Sequence, residues 1–532
     1  MGNQNEIVNV AGASNPAAEW VVDAQDLTDQ EHSLNLFQAL KLYPKAVFWS
    51  MVMSTAIIMD GYDTMLMGNL LAQPAFQKHY GIPAKAGKYE IPAAWQSGLN
   101  QGSACGQIIG LLAAGYISEY IGFRKTMSIG LLATIALIFI PFFAPSLAVL
   151  EVGQVIFGIP LGLFQTVPVV YAMEVSPMCL RPYLTTYINF CWAIGHLIGS
   201  GILRGSLSIS GEWGFRVPFA IQWVWPVVLL PLIFFAPESP WWLVRKGRME
   251  EAGNELKRLT SARNEGFDIQ KNINLIAFTI EHERALSSET SYMACFKGTD
   301  LKRTLIGIGI YCIQTLSGNP LRGYSTYFME EAGLASTMSF DMTIVNYSLA
   351  LLGSFFSWVL LPIYGRRSIY FWSLVMMFVL MILIGALGVP QAKSDNSSYS
   401  WAIGAILIIS SFLYNCSMGP LTNTLCAEIP TALLRSKSIV LARATYSVST
   451  IVAGILTTYQ LNSTAWNWGA KTGFFWAGGC LISAIFAYFF VPESKNRTVA
   501  EMDILFEKKV SLRHFAETRV DLTTATEKTE QN

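Results

Sequence analysis

Twelve stretches of this chain are apolar over the length needed to cross a bilayer, and that requirement constrains the fold more than any other feature. They run near residues 47–69, 95–117, 127–145, 150–172, 184–204 and 217–236, then near 303–329, 341–363, 368–389, 401–426, 437–460 and 472–491. A spanning helix needs about 20 apolar residues, because in hydrocarbon each backbone N–H and C=O must be satisfied within the segment itself. Only 14% of the 532 residues are charged and 52% are hydrophobic, whereas soluble domains carry roughly 25% charge. The pattern predicts an all-α membrane protein. Its expected parts are an N-terminal tail (1–45), a six-helix half (46–240), a polar helical linker (241–302), a second six-helix half (303–492) and a C-terminal tail (493–532).

Charge excludes some functions and predicts an orientation. The 36 basic and 36 acidic residues balance, which argues against a nucleic-acid partner. The eight cysteines form no C-x-x-C pair and no Cys/His cluster, so neither a disulfide framework, a metal site nor a cofactor is expected. Residues 1–40 lack the basic and apolar regions of a cleaved leader. Most Lys and Arg fall on the side of the termini and the linker, which predicts that both termini are cytosolic. The opposite loops carry the sequons Asn396-Ser397-Ser398 and Asn462-Ser463-Thr464, on the correct side for glycosylation.

Two aspartates, Asp60 and Asp63, sit inside the first apolar stretch. A carboxylate there costs several kcal/mol, on the order of the insertion scales, and is rare without a task. Three residues apart, the two share one helix face. That placement points to a protein that moves a solute together with a proton.

The chain also repeats itself. Glu174…Arg181 is answered by Glu428…Arg435, Pro237-Glu238-Ser239 by Pro492-Glu493-Ser494, and Gly122–Lys125 by Gly365–Ser368. Two homologous six-helix halves imply a substrate site at the midplane between them. With Gly61-Tyr62-Asp63-Thr64, Pro240-Trp241-Trp242-Leu243, Gln314–Gly318 and Gly419-Pro420 in order at the expected helix ends, the chain resembles the sugar-porter branch of the major facilitator superfamily from about 45 to 500. The acid before Gly-Tyr-Asp and the run Gly323–Phe328 are similar to fungal maltose and α-glucoside permeases, which are proton symporters of the plasma membrane.

The resemblance implies roles. Asp63 would take the proton, with Asp60 assisting, although the helix 4 position where an arginine often partners the acid holds Gln154. The alternative is a structural Asp63 bonded to helix 4 or 11. Arg443 either pairs with one of the acids or snorkels to the headgroups. Asn189, Gln314, Thr315, Tyr324 and Asn423 would hold a neutral sugar through amides, hydroxyls and an aromatic plane, or else join helices by hydrogen bonds. Asn423 stands where hexose porters carry Trp, which would leave room for a disaccharide. Arg322 stands where an apolar residue is usual. It faces either the cavity, as an anion or acid partner, or the outer vestibule, the reading favoured by the cost of a buried charge. Glu119, Arg124, Glu174, Arg181, Arg366, Arg367, Glu428 and Arg435 would form cytosolic gate ion pairs, looser in the second half because Pro362 replaces an acid. Trp241 and Trp242 would anchor in the interface.

The expected protein is therefore a monomeric twelve-helix, proton-coupled importer of an α-glucoside such as maltose, without cofactor and without enzymatic activity. The same fold would also serve a carrier of hexose, of a quinate-like organic acid or of a secondary metabolite, or a non-transporting sensor.

Overall fold

A computed structural model describes residues 36–518 apart from 72, 84–88, 210, 262–267, 287–290, 324–335, 394–396 and 462–465. Tyr324, Asn396 and Asn462 lie outside the described residues. Helix α1 comprises Pro44–Ser54 and Ile57–Leu70; α2 is Ala93–Ile121, α3 Phe123–Leu137 continued by Phe139–Phe143, and α4 Leu147–Val175. Next come α5 (Arg181–Ser206) and α6 (Trp213–Ile221 and Val224–Phe234). The second half holds α7 (Gly298–Leu316 and Asn319–Arg322), α8 (Ser336–Ile363), α9 (Arg366–Gln391), α10 (Ser398–Cys416 and Met418–Glu428), α11 (Arg435–Leu461) and α12 (Thr472–Phe490).

Among the described residues, nine of these helices are long and apolar enough to cross a membrane, and ten if α1 with its bent lead-in is one span. The two that fall short, α5 and α7, are short of apolar residues because they face the interior. Helix α5 buries Thr185, Thr186, Asn189 and Ser200, and α7 buries Arg303, Thr304, Gln314 and Thr315.

The pairing of helices repeats between halves. Helix α1 packs on α5, α2 on α4 and α3 on α6, while α7 packs on α11, α8 on α10 and α9 on α12. Contacts between the halves run through α5 against α8 and α2 against α11. In the second half, helices α7 and α10 are interrupted. Helix α7 is interrupted at Gly318, whose φ of +83° only glycine adopts without strain, and Pro320 starts the next turn. Helix α10 breaks at Ser417, ahead of Pro420.

Close approach of α2 and α4 comes from glycines spaced four apart. A Cβ at Gly106 or Gly110 would lie 1.8 or 1.9 Å from the carbonyl oxygens of Val155 and Ile159. At Gly158 and Gly162 it would meet the carbonyl oxygens of Ser103 and Gln107 at 2.2 and 2.4 Å. Between apolar helices with no solvent to expel, such backbone contact replaces the hydrophobic drive.

The linker folds into Pro240–Arg245, Met249–Leu259 and Ile269–Leu286. These helices pack onto the ends of α1 and α4 and reach Ala432, Leu433 and Val499 of the second half. A last helix, Val499–Glu507, starts in a capping box of Thr498 and Glu501. Buried Arg303 of α7 pairs with its Asp503.

Gly106→Leu is expected to abolish folded protein, since backbone atoms cannot yield as side chains do and ordinary overpacking already costs about 1–3 kcal/mol. Gly201→Leu, with nothing within 4 Å of its Cβ position, is expected to be tolerated. Size-exclusion profiles of fluorescent fusions check the pair.

Candidate functional site

Asp60 is fully buried and its carboxylate accepts three side-chain hydrogen bonds. Gln107 Nε2 of α2 donates to Oδ1 at 2.8 Å. Gln165 Nε2 of α4 and Trp192 Nε1 of α5 donate to Oδ2 at 2.9 and 2.7 Å. The other end of the Gln165 amide accepts from Arg443 Nε of α11 at 2.9 Å. An acid of the first half is thus joined to a guanidinium of the second by a single amide. Arg443 is buried and its guanidinium lies 4.6 Å over the Trp192 ring and 4.9 Å over Tyr446. It neither snorkels nor forms a direct ion pair, so both readings of Arg443 give way to a bridged one.

Asp63 is held differently. Gln222 Nε2 of α6 donates to its Oδ1 at 3.0 Å, while Oδ2 is buried without a hydrogen-bond partner. Ser103 and Gln154 lie against the same carboxyl. Its main partner therefore comes from α6, not from α4 or α11. Another intramembrane acid, Glu151 at the start of α4, lies against Gly98 and Gly102 of α2.

Beside Asp60 a cavity of about 250 Å³ opens between the halves, near the lower end of the roughly 300–1,000 Å³ range of small-molecule sites. Asn189, Trp192 and His196 of α5 form one wall, and Asn346, Tyr347, Tyr414, Asn415 and Tyr446 form the other. The His196 and Tyr347 rings stack 4.8 Å apart across the seam. Asn189 Nδ2 donates to Ser354 Oγ and to Asn415 Oδ1, each at 3.0 Å. Toward the linker end the halves touch, with Thr185 and Thr424 hydroxyls 2.8 Å apart and Trp358 Nε1 donating to Thr186 at 2.9 Å.

Of the residues assigned to substrate from sequence, the cavity brings together Asn189 and Arg322. Arg322 is buried on its wall, not solvated in a vestibule. The broken turn at Gly318 folds the guanidinium back so that it donates to Ser317 O at 2.9 Å, which offsets part of the charge. Gln314, Thr315 and Asn423 are not on the wall. Gln314 donates to Gly419 O, Thr315 meets Thr450, and Asn423 Oδ1 accepts from Tyr311 at 3.0 Å. The helix-joining alternative describes all three, and the space expected at Asn423 is taken by Tyr311.

At the linker end the sequence repeats become a repeated latch. Glu238 accepts from the N–H groups of Phe123 and Arg124 at 2.9 and 3.2 Å, capping α3. Glu493 accepts from those of Arg366 and Arg367 at 2.9 and 3.2 Å, capping α9. Burial pushes the Glu238 carboxyl up, and the backbone donors oppose the shift. Cβ atoms at Gly122 and Gly365 would lie 2.5 and 2.0 Å from these carboxylates, so glycine is what lets each acid reach the helix end.

The following serines donate to the helix-end acids, Ser239 to Glu174 and Ser494 to Glu428, the latter at 2.5 Å. In the first half Glu174 also pairs with linker Arg245 at 2.9 Å, and Glu119 lies 3.7 Å from the same guanidinium. At the matching place in the second half Arg366 pairs with Glu428 at the longer distance of 3.6 Å. Among the described residues Arg124, Arg181, Arg367 and Arg435 form no ion pair, because the carboxylates expected for them are held by serines, backbone N–H groups and Arg245. Trp241 and Trp242 are buried in this latch instead of anchoring in the interface, and Trp242 Nε1 donates to Glu119 O at 2.9 Å.

Sequence reasoning missed Gln107, Gln165, Trp192, Gln222 and His196. Amides facing acids across helices leave only a weak signal, a polar residue in an apolar run.

The family described as "Sugar (and other) transporter" matches residues 49–506. The general alpha-glucoside permease of Saccharomyces cerevisiae strain S288c is 43% identical over 504 residues, covering 94% of this chain and 81% of its own. Maltose permease MAL31 of the same strain is 41% identical over 509 residues, covering 94% and 82%. The proton:xylose symporter XylE bound to 6-bromo-6-deoxy-D-glucose superposes with a TM-score of 0.75 at 18% identity, covering 87% of this chain and all of that one. The inward open form of XylE from E. coli gives 0.61 at 18% identity, covering 86% and 98%. The chain therefore belongs to the sugar transporter family, a multi-pass membrane transporter with the major facilitator fold.

Proposed function

We propose that this chain imports α-glucosides such as maltose across the plasma membrane together with a proton, with the linker end and both termini cytosolic. The observation that carries this reading is the Asp60–Gln165–Arg443 bridge between the halves, set against a cavity lined by amides and aromatic rings. The 43% and 41% identity to an alpha-glucoside and a maltose permease supports the substrate class.

In the proposed cycle Asp63 carries the proton, since one of its carboxylate oxygens has no hydrogen-bond partner to displace. Asp60 relays its charge state to Arg443 through Gln165. Sugar binds against Trp192, Asn189 and Asn415 from the far end, where Thr64 and Gly323 are exposed. Both ligands must favour the same rearrangement, a coupling of about 1–3 kcal/mol. The latch at the linker end then opens and both leave inward.

The direct test follows cytosolic pH in a yeast strain lacking its own sugar carriers, on addition of maltose, sucrose, glucose and quinate in turn. Acid influx with maltose or sucrose is expected, and its loss in Asp63→Asn. Silence with every sugar, with the protein at the cell surface, would contradict the reading.

The latch generates its own prediction. Arg245→Gln leaves Glu174 buried without its cation, which costs the closed linker end about 3–5 kcal/mol. Labelling of Cys179, beside the Glu174 loop and half-buried, is expected to speed up, and affinity for external sugar to fall. Arg248→Gln removes an exposed pair with Glu251, worth about 0–1 kcal/mol, and is expected to change neither.

A further inference from the structure

Among the described residues lining the cavity, Arg322 is the only one with a formal charge. It is 4% exposed. Elsewhere three buried arginines are answered by acids, Arg245 by Glu174, Arg303 by Asp503 and Arg366 by Glu428, while buried Arg181 and Arg435, which form no ion pair among the described residues, lie at the linker end and off the cavity wall. Arg443 reaches Asp60 through Gln165. No carboxylate among the described residues answers Arg322.

The described groups that it touches are neutral. Nη1 donates to Ser317 O at 2.9 Å, and Nη2 approaches Ser317 Oγ at 3.4 Å and Asn319 Oδ1 at 3.2 Å. The guanidinium plane lies 4.2 Å over the Tyr414 ring. Ser317 caps the C-terminal end of the first α7 segment, where the helix dipole offers about half a negative charge. These contacts fix the guanidinium in place and offset part of its charge. They leave its Nε–H unused.

A rigid, desolvated and incompletely compensated cation on a cavity wall selects for an acceptor that brings negative charge. Charge-assisted hydrogen bonds are roughly twice as strong as neutral ones. Arginine, unlike lysine, is weakly hydrated and keeps its charge when buried.

We propose that Arg322 forms an anion subsite, so that the α-glucosides this cavity accommodates best carry a carboxylate on the second sugar unit, as aldonates or uronates do. The inference rests on reading the chain as an α-glucoside carrier, and it narrows that substrate class. A purely structural arginine that caps the broken helix would affect charged and neutral ligands alike, which gives the test its contrast.

Maltobionate and maltitol are open-chain α-glucosides that differ only in bearing a carboxylate or a hydroxymethyl group at one end. Each would compete against labelled maltose uptake in intact cells, for the wild type, Arg322→Gln and Arg322→Lys. The expected result is that maltobionate competes about tenfold better than maltitol in the wild type, equivalent to about 1.4 kcal/mol. The ratio should fall to near one in Arg322→Gln and stay above one in Arg322→Lys. Equal competition in the wild type would overturn the anion subsite and leave the transport reading intact. So would a ratio that persists in Arg322→Gln. If Arg322→Gln does not reach the surface, the wild-type and lysine ratios decide. If the wild type takes up no α-glucoside, the transport reading fails, and thermal stabilisation of the purified protein by the two compounds decides the subsite. Stabilisation by maltobionate beyond maltitol supports it, and equal stabilisation overturns it.

Discussion

The buried carboxylate of Asp60 organises the centre of the molecule. Three neutral donors from three helices converge on it, and the amide that supplies one of them reaches the guanidinium of Arg443 in the other half. A buried ion is tolerated when its lone pairs are filled, and strongly destabilising when a partner is lost. The bridge through Gln165 has one arrangement that satisfies both ends, with the amide oxygen toward the arginine and the nitrogen toward the acid. A change of charge at Asp63, on the same helix face, alters the field at the Asp60 carboxylate and so the strength of the bond that it accepts from that nitrogen, which is how an event in the first half would reach the second in the proposed cycle.

Around this centre the halves repeat each other with unequal strength. Glu238 with Ser239 and Glu493 with Ser494 perform the same capping and donation at matching helix ends. The first half adds a buried ion pair to the linker through Arg245. At the matching place the second half pairs Arg366 with Glu428 at a longer distance, and the linker acid Glu283 joins that half by accepting from the N–H groups of Ala432 and Leu433, each at 2.7 Å. The linker thus holds one half by charge and the other by backbone hydrogen bonds, so the two can part at different costs.

Much of this frame was legible beforehand. Spanning length and the repeated Pro-Glu-Ser are local patterns, and local patterns survive in sequence. The break in α7 was readable from Pro320 between glycines. The site was less so, because it depends on which face of each helix turns inward. Gln314, Thr315 and Asn423 carry the right chemistry, yet lie one helix face away from the cavity, while Trp192, His196 and Tyr347 read as ordinary apolar or aromatic positions. Arg322 was placed by the cost of its charge alone. That reasoning omitted the helix end and the Tyr414 ring that receive it, partners visible only in three dimensions.

In the proposed cycle Gln165 carries the proton-linked signal between the halves without itself holding sugar. Gln165→Leu keeps the size of the side chain and removes both ends of the bridge. Uphill accumulation of labelled maltose driven by an imposed proton gradient, measured beside maltose exchange at equal pH, tests it most directly. Exchange is expected to continue while gradient-driven accumulation is lost. Accumulation at wild-type level in this variant would contradict it.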